Sequence, residues 1–336
     1  MSRSKSLWLL MVLIAVGRLT SPASAGTILH TGANPQAYLD LGASQVYASV
    51  GQIIGADALG SFAASGVLVA PSWVLTAAHV VDGATSLSFD FDGLGGQASG
   101  FAAKRWVAHP NWDGNLGKGY DIGLVELVTA ANVSPAVRYR GTGELGQIGT
   151  SVGFGKTGTG VTGWQDVGDF SELQKRAGNN YIDAWLRTPG KTPRVFLSDF
   201  DNPPPDGTFV DDGNNFGGAG PLPLEYSTAP GDSGGGVFID GVLAGIHSFG
   251  WGRLDGNPNS DYDDVSGHTR VSAFNDWIDS VIAGGGGGKP KPPRGPKNTG
   301  AEVVLNGAPV PEPSTLWLLC IGGVCLFACW WRKRKR

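Results

Sequence analysis

Cysteine is nearly absent. The 336-residue chain has three, Cys320, Cys325 and Cys329, all inside one apolar C-terminal stretch. No disulfide can therefore staple the region before them, which must be held by its core alone. Their spacing is not that of a metal site and fits lipid-facing packing. Charge is scarce too, at 16% of residues, and a net charge of -4 is too mild to mark nucleic acid or an anionic membrane surface as partner. Acidic residues dominate the middle of the chain, while much of the basic charge lies in the two ends and in a linker. Against these shortages stand 54 glycines, 21 prolines and a hydrophobic share of 41%. That composition suits a β protein with many turns, built on one sizeable core or two small ones, better than a helical protein.

Both ends read as targeting segments. Arg3 and Lys5 precede an apolar run from Leu7 to Gly17, and Ala23-Ser24-Ala25 offers a small-residue cleavage site. This is the layout of a secretory signal peptide over residues 1–25, its apolar run too short to span a bilayer, with a new N-terminus near Gly26. At the other end, Val310-Pro311-Glu312-Pro313-Ser314 leads into a charge-free run from Thr315 to Trp331, followed by Arg332-Lys333-Arg334-Lys335-Arg336. The run is at the short end for a transmembrane helix, and the terminal cations keep its far side cytoplasmic, leaving the globular part outside. Residues 284–309 form a linker: Gly284 to Gly288 is flexible, and Lys289 to Pro296 is a stiffer, basic, extended spacer.

Between a lead segment at 26–45 and the linker, residues 46–283 read mainly as strands. Gly66 to Thr76 holds two short apolar runs bent at Ala70-Pro71-Ser72, as in a tight hairpin. Similar runs occur at Ser86 to Phe91, Ala103 to Ala108, Ile122 to Val128, Thr150 to Phe154, Val237 to Ile239 and Val242 to His247. One helix is expected, from Ser272 to Ala283, with Val271, Phe274, Trp277, Ile278 and Val281 on one face, Ser272 as its cap and Gly284 as its stop. The acidic stretches around Asp199 to Asp212 and Asp255 to Asp264 lack the ordered spacing of a calcium loop and read as solvated turns. His109 before Pro110 reads as a surface turn; His30, His247 and His268 have no setting that suggests chemistry.

Chemistry concentrates in Gly231-Asp232-Ser233-Gly234-Gly235-Gly236. A serine between glycines can present its hydroxyl on a tight turn while nearby backbone N–H groups converge. A serine hydroxyl is a weak nucleophile and needs a base, for which Thr76-Ala77-Ala78-His79 is the candidate. Asp121, in Asp121-Ile122-Gly123-Leu124, can orient that base. The order His79, Asp121, Ser233 and the three local motifs T-A-A-H, D-I-x-L and G-D-S-G-G resemble the chymotrypsin/trypsin-like serine peptidases; other serine hydrolases order their triads differently.

The resemblance, loose between the motifs, covers about residues 46–283 and implies an all-β fold. Two six-stranded antiparallel β-barrels, about 46–150 and 151–283, would be followed by a C-terminal helix. It implies a serine endopeptidase with Ser233 as nucleophile, His79 as base then acid, Asp121 as orienter and the amides of Gly231 and Ser233 as oxyanion donors, with no cofactor and no metal. Ser248-Phe249-Gly250 resembles the family's substrate-pairing strand. Ser227 stands where trypsin carries an aspartate, and Ser266 or Gly267 forms the pocket's far wall. A serine cannot neutralise a basic side chain, so cleavage after apolar or aromatic residues is expected. The tail resembles the PEP-CTERM sorting signal of bacterial surface proteins, over 310–336. That implies an exosortase-type processing enzyme as partner, contact with the membrane through 315–331 until processing, and a cell-surface or extracellular destination; the alternative is a permanent single-pass anchor. Protein or peptide substrates, and no nucleic acid, complete the expected partners. The same residues could serve an esterase, or a surface binding protein that has lost turnover.

Two departures from the family stand out. No I-V-G-G-like start follows a basic cleavage site, leaving Asp232 without an identified partner for the amine that trypsin-like enzymes free on activation. Gly236 replaces the family's usual proline.

Overall fold

The β-branched and aromatic runs between glycine turns form strands, each alternating its side chains between a core face and an outer face. The computed structural model describes residues 26–30, 32, 34–91, 100–166, 173–186, 191–203, 220–252, 255–284 and 310–311. The leader, nearly all of the linker and the tail beyond Pro311 lie outside these residues.

The described residues open with strand β1 (Gly26–Ile28) and helix α1 (Pro35–Gly42), whose N-terminus Asn34 caps by accepting the Gln36 N–H at 3.1 Å. Six strands follow: β2 (Val50–Asp57), β3 (Gly60–Ala70), β4 (Trp73–Thr76), β5 (Ser86–Asp90), β6 (Phe101–Ala108) and β7 (Gly123–Leu127). They close into an antiparallel barrel in the order β2-β3-β4-β7-β6-β5. Closure leaves no unpaired edge. The hairpin read at Gly66 to Thr76 is β3–β4, turned at Pro71-Ser72. A one-turn helix α2 (Ala78–Val81) interrupts the barrel after β4.

The second half contains β8 (Ile148–Gly153), β9 (Thr157–Thr159), β10 (Gly163–Trp164), β11 (Arg176–Tyr181), β12 (Ala184–Leu186) and β13 (Val195–Asp199). It continues with β14 (Tyr226–Ser227), β15 (Gly236–Ile239), β16 (Val242–Trp251) and β17 (Val265–Arg270). Its main sheet runs β11-β8-β15-β16-β17-β13-β12. The strands at its two ends, β11 and β12, are successive pieces of one segment broken at Ile182-Asp183, so the sheet returns on itself as a barrel with one interrupted strand. Asn180 Nδ2 reinforces the return, donating to the Asp199 carbonyl at 2.5 Å. A smaller sheet, β10-β9-β1-β14, brings Gly26–Ile28 against the second barrel; neither β1 nor β14 was expected.

The C-terminal helix α3 is shorter than expected, Asn275–Ile282, preceded by a 3₁₀ turn over Val271–Phe274. Ser272 does not cap it, because its hydroxyl donates to Glu144 Oε1 at 2.5 Å. The helix does stop before Gly284, with Ile278 and Val281 buried. One continuous apolar core joins Leu68, Leu75 and Ile122 of the first barrel to Val152, Phe238, Leu243 and Ile246 of the second, with α3 packed on it. Among the described residues, no helix is long and apolar enough to cross a membrane. Finally, β18 (Val310–Pro311) pairs antiparallel with Phe249–Gly250 on β16.

Candidate active site

Three elements converge where the barrels meet. After β4, Ala77 stays extended and Ala78 starts α2, so His79 leaves the barrel rim at once. Asp121 sits just before β7 and is fully buried. Ser233 lies on the turn before β15 and is also buried.

The His79 ring lies between the other two. Its Nδ1 is 2.8 Å from Asp121 Oδ2, and its Nε2 is 2.8 Å from Ser233 Oγ. Asp121 Oδ1 accepts the His79 backbone N–H at 2.9 Å, and Ser248 Oγ donates to Oδ2 at 2.6 Å. A carboxylate is acceptor-only, so Nδ1 carries the ring proton and the lone pair of Nε2 faces the serine hydroxyl. Thr269 Oγ1 donates to the Asp121 carbonyl at 2.9 Å, fixing this segment to β17.

The nucleophile turn is tied to the first barrel. Gly231 and Gly234 have φ of +101° and +84°, and a Cβ on Gly234 would overlap Thr76 Oγ1 and the Ser65 carbonyl. Ser65 N–H donates to the Ser233 carbonyl at 2.8 Å, and Ser65 Oγ donates to the Gly231 carbonyl at 2.8 Å. Asp232, Gly234 and Gly235 spend their amides on Ala229, His247 and Asp232 carbonyls. The Gly231 and Ser233 amides have no acceptor among the described residues, so they are available to a ligand. Ser65 is a positioning residue that the sequence reading missed; nothing in its local pattern marks it.

The predicted pocket residues divide. Gly250 pairs with Ser266 and Phe249 with Gly267 across β16–β17. Adjacent strand residues face opposite ways. Gly267 lies under the Phe249 ring, where a Cβ would overlap it, and Phe249 joins the buried cluster of Trp112, Leu116, Val195 and Trp251. Ser266 faces the other way, with Oγ 3.2 Å from Ser227 Oγ and 2.9 Å from Thr228 Oγ1. Ser266 therefore belongs with Ser227, and Gly267 does not. Thr228, missed beforehand, completes a wall of hydroxyls that hydrogen-bond one another.

Other readings change. His109 is buried rather than on a surface turn: its ring stacks on Tyr120 and meets Phe274 and Trp277, and burial lowers its pKa to about 4. His247 and His268 form a buried pair behind the turn, Nδ1 to Nδ1 at 3.0 Å; burial lowers the first to about 3 and the second well below the usual range. Asp199, Asp201 and Asp264 are buried, not solvated, and burial raises the Asp264 carboxyl to about 8; Glu225 is buried as well, and burial raises it well above its usual range. Asp206, Asp211 and Asp212 lie outside the described residues. Among the described residues, no group of acidic, histidine or cysteine side chains is arranged to hold a metal ion.

Two families match the sequence: Trypsin over residues 42–185 and 206–278, and the PEP-CTERM protein-sorting motif over residues 309–334. "Kallikrein 1-related peptidase b24" of Mus musculus is 28% identical over 240 residues, spanning 65% of this chain and 80% of its own. "Trypsin-2" of Salmo salar is 27% identical over 223 residues, spanning 65% of this chain and 84% of its own. The solved chain described as "Structure of GrC" shares the fold at a TM-score of 0.50 and 17% identity, over 71% of this chain and 96% of that one. With two barrels, a C-terminal helix and a family match over most of its length, the chain belongs to the trypsin family and ends in a PEP-CTERM protein-sorting motif.

Proposed function

We propose that this chain is an exported serine endopeptidase working through an acyl-enzyme on Ser233. The observation that carries the reading is the His79 ring, 2.8 Å from Asp121 on one side and 2.8 Å from Ser233 on the other. Ser233 Oγ attacks the substrate carbonyl as His79 Nε2 takes its proton. Asp121 holds the Nδ1 proton, fixes the tautomer and stabilises the imidazolium. The developing oxyanion accepts from the Gly231 and Ser233 amides. His79 then returns the proton to the leaving amine, and water repeats the sequence on the ester.

Substrate binds extended along Ser248-Phe249-Gly250. The pairing of the chain's own Val310–Pro311 with Phe249–Gly250 supports main-chain recognition at this edge. Ser227, Thr228 and Ser266 carry no charge and satisfy one another, which favours uncharged, apolar or aromatic side chains over lysine and arginine. The leader directs export, and an exosortase-type enzyme processes the tail at the cell surface.

An active-site phosphonate tests the reading. It should label the mature protein at Ser233, and Ser233→Ala should abolish labelling. Absence of labelling in the mature protein would leave a binding protein on the same fold. Peptides cut after Phe, Leu, Ala or Arg test the pocket, and a preference for Arg would refute it. Hydrolysis of the matching esters with no cleavage of the peptides would make the chain an esterase instead.

A further inference from the structure

The long strand β16 is covered unevenly. On one side β17 pairs with it from Gly245 to Trp251, whereas on the other β15 pairs only from Val242 to Ile246. His247 still bonds to the nucleophile turn, its carbonyl accepting from Gly234 and its N–H donating to Gly235. Beyond it, among the described residues, the barrel gives Phe249 and Gly250 no second strand. This open edge borders the reactive site, because the preceding Ser248 donates to Asp121 at 2.6 Å. Unpaired N–H and C=O groups on a sheet edge recruit an extended chain.

The chain itself supplies one. Val310 pairs antiparallel with Gly250, and Pro311 with Phe249. Bonded and non-bonded pairs alternate along an antiparallel ladder, and proline has no N–H to exchange. The bonded pair is therefore Val310 with Gly250, and the Val310 N–H is the donor on which the pairing depends. From Val310 to Pro311 the direction is from Gly250 towards Ser248, so the segment enters heading for the triad. These two residues also open the sorting motif, which matches over residues 309–334.

The covalent sequence that follows resists cleavage. The next two peptide bonds are Pro311–Glu312 and Glu312–Pro313. In the first, the residue before the bond has no N–H to pair with the strand. In the second, the leaving nitrogen belongs to a proline ring, which occupies the place of the usual N–H. A glutamate side chain would also find no counter-charge in the hydroxyl wall of Ser227, Thr228 and Ser266. Such a segment binds as a substrate does and turns over poorly.

We propose that Val310–Pro311, the opening of the sorting motif, is a built-in occupant of the substrate edge that keeps the peptidase latent until the sorting enzyme draws it off β16. One main chain cannot pair with β16 and enter a second enzyme at the same time, so sorting and activation are coupled. Only residues 285–309 separate the occupant from the end of the second barrel. A tether of that length sets an effective concentration in the millimolar range, so a weak two-residue pairing suffices. The activity readout of this inference rests on the peptidase reading; its docking readout does not.

The experiment uses the full chain in detergent in three forms: native, Val310→Pro and Val310→Ala. The first substitution removes the N–H that pairs with Gly250, and the second keeps it. Val310→Pro should label with the active-site phosphonate roughly fivefold faster than the native chain, and Val310→Ala at the native rate. A synthetic peptide of residues 308–314, added at millimolar concentration, should slow Val310→Pro again and stay uncut. Amide hydrogen exchange at Gly250 reads docking without activity. It should be slow in the native and Val310→Ala forms and fast in Val310→Pro. Equal exchange at Gly250 in all three, equal labelling by active forms, or cutting of the peptide would overturn the proposal, while labelling in any form upholds the peptidase reading. If no form labels but Gly250 exchange differs as expected, the docking stands and the peptidase reading falls.

Discussion

The first barrel encloses Val67, Leu68, Val74, Leu75, Ile122 and Leu124, all apolar and fully buried, beside the carboxylates Asp90 and Asp121, whereas the second buries a larger set of titratable groups: His247, His268, Asp199, Asp232, Glu225 and the Arg270–Glu144 pair. The first closes as a cycle of six paired strands; the second closes across a broken strand, with Asn180 bonding to the Asp199 carbonyl. The division has a chemical consequence. The first barrel supplies the base and its carboxylate on a mostly apolar frame. The second carries the nucleophile turn on a polar, titratable interior whose groups hold one another. Stability that comes from area buried is indifferent to pH, and stability that comes from desolvated charge is not.

The comparison can be broken at several points. The largest effect is on chemistry: His79→Ala should lower turnover by about 10⁴-fold or more while leaving the unfolding midpoint nearly unchanged, since its side chain, 16% exposed, lies at the barrel rim outside the apolar core. A midpoint falling with activity would make His79 structural. Next, Arg270→Ala leaves buried Glu144 without its bidentate partner, at 2.9 and 3.0 Å, and should cost about 3–5 kcal/mol by denaturant titration. Leu68→Ala in the first barrel should cost a similar 2–5 kcal/mol through cavity formation, but equally at pH 5 and pH 8. A pH-dependent cost there would undo the contrast between the barrels.

The pH profile sharpens it. His247 and His268 are lowered by burial, so the unfolded chain binds their protons more readily and stability is lost as pH falls below about 6.5. Each contributes about 2 kcal/mol of loss by pH 5. Asp264 is raised to about 8 by burial, then by the negative charges of Asp261 and Asp255. Its contribution is complete below its ordinary value of 3.8 and is lost as pH rises through about 8. From pH 3.8 to about 8 Asp264 therefore opposes the gain from the two histidines, and Asp264→Asn should make stability rise more steeply up to pH 6.5 and fall less beyond it. The smallest effect belongs to the surface of the first barrel. Lys118→Ala, which removes the exposed pair with Asp113, should change stability by no more than about 0.5 kcal/mol.

Legibility followed the range of the interactions. The β3–β4 hairpin was readable because Pro71 marks its turn within the segment itself. The motifs around His79, Asp121 and Ser233 were readable because each needs particular neighbours for local backbone reasons. His109 was misread because the residues that bury it, Tyr120, Phe274 and Trp277, include two from far along the chain. Ser272 was expected to cap a helix, but Glu144 competes for its hydroxyl from the start of the second half. Strands β1 and β14 were invisible because pieces of three and two residues carry no periodicity and exist only as partners of each other and of β9.

The sequence by itself determined the fold class, the family and three separated reactive motifs, because alternation, turn residues and short motifs act over a few neighbouring positions. Only the tertiary structure decided that His79 lies between Asp121 and Ser233 and that Ser266 rather than Gly267 meets Ser227. Those facts are distances between residues remote in the chain. Such distances depend on how two barrels pack, which no local pattern encodes.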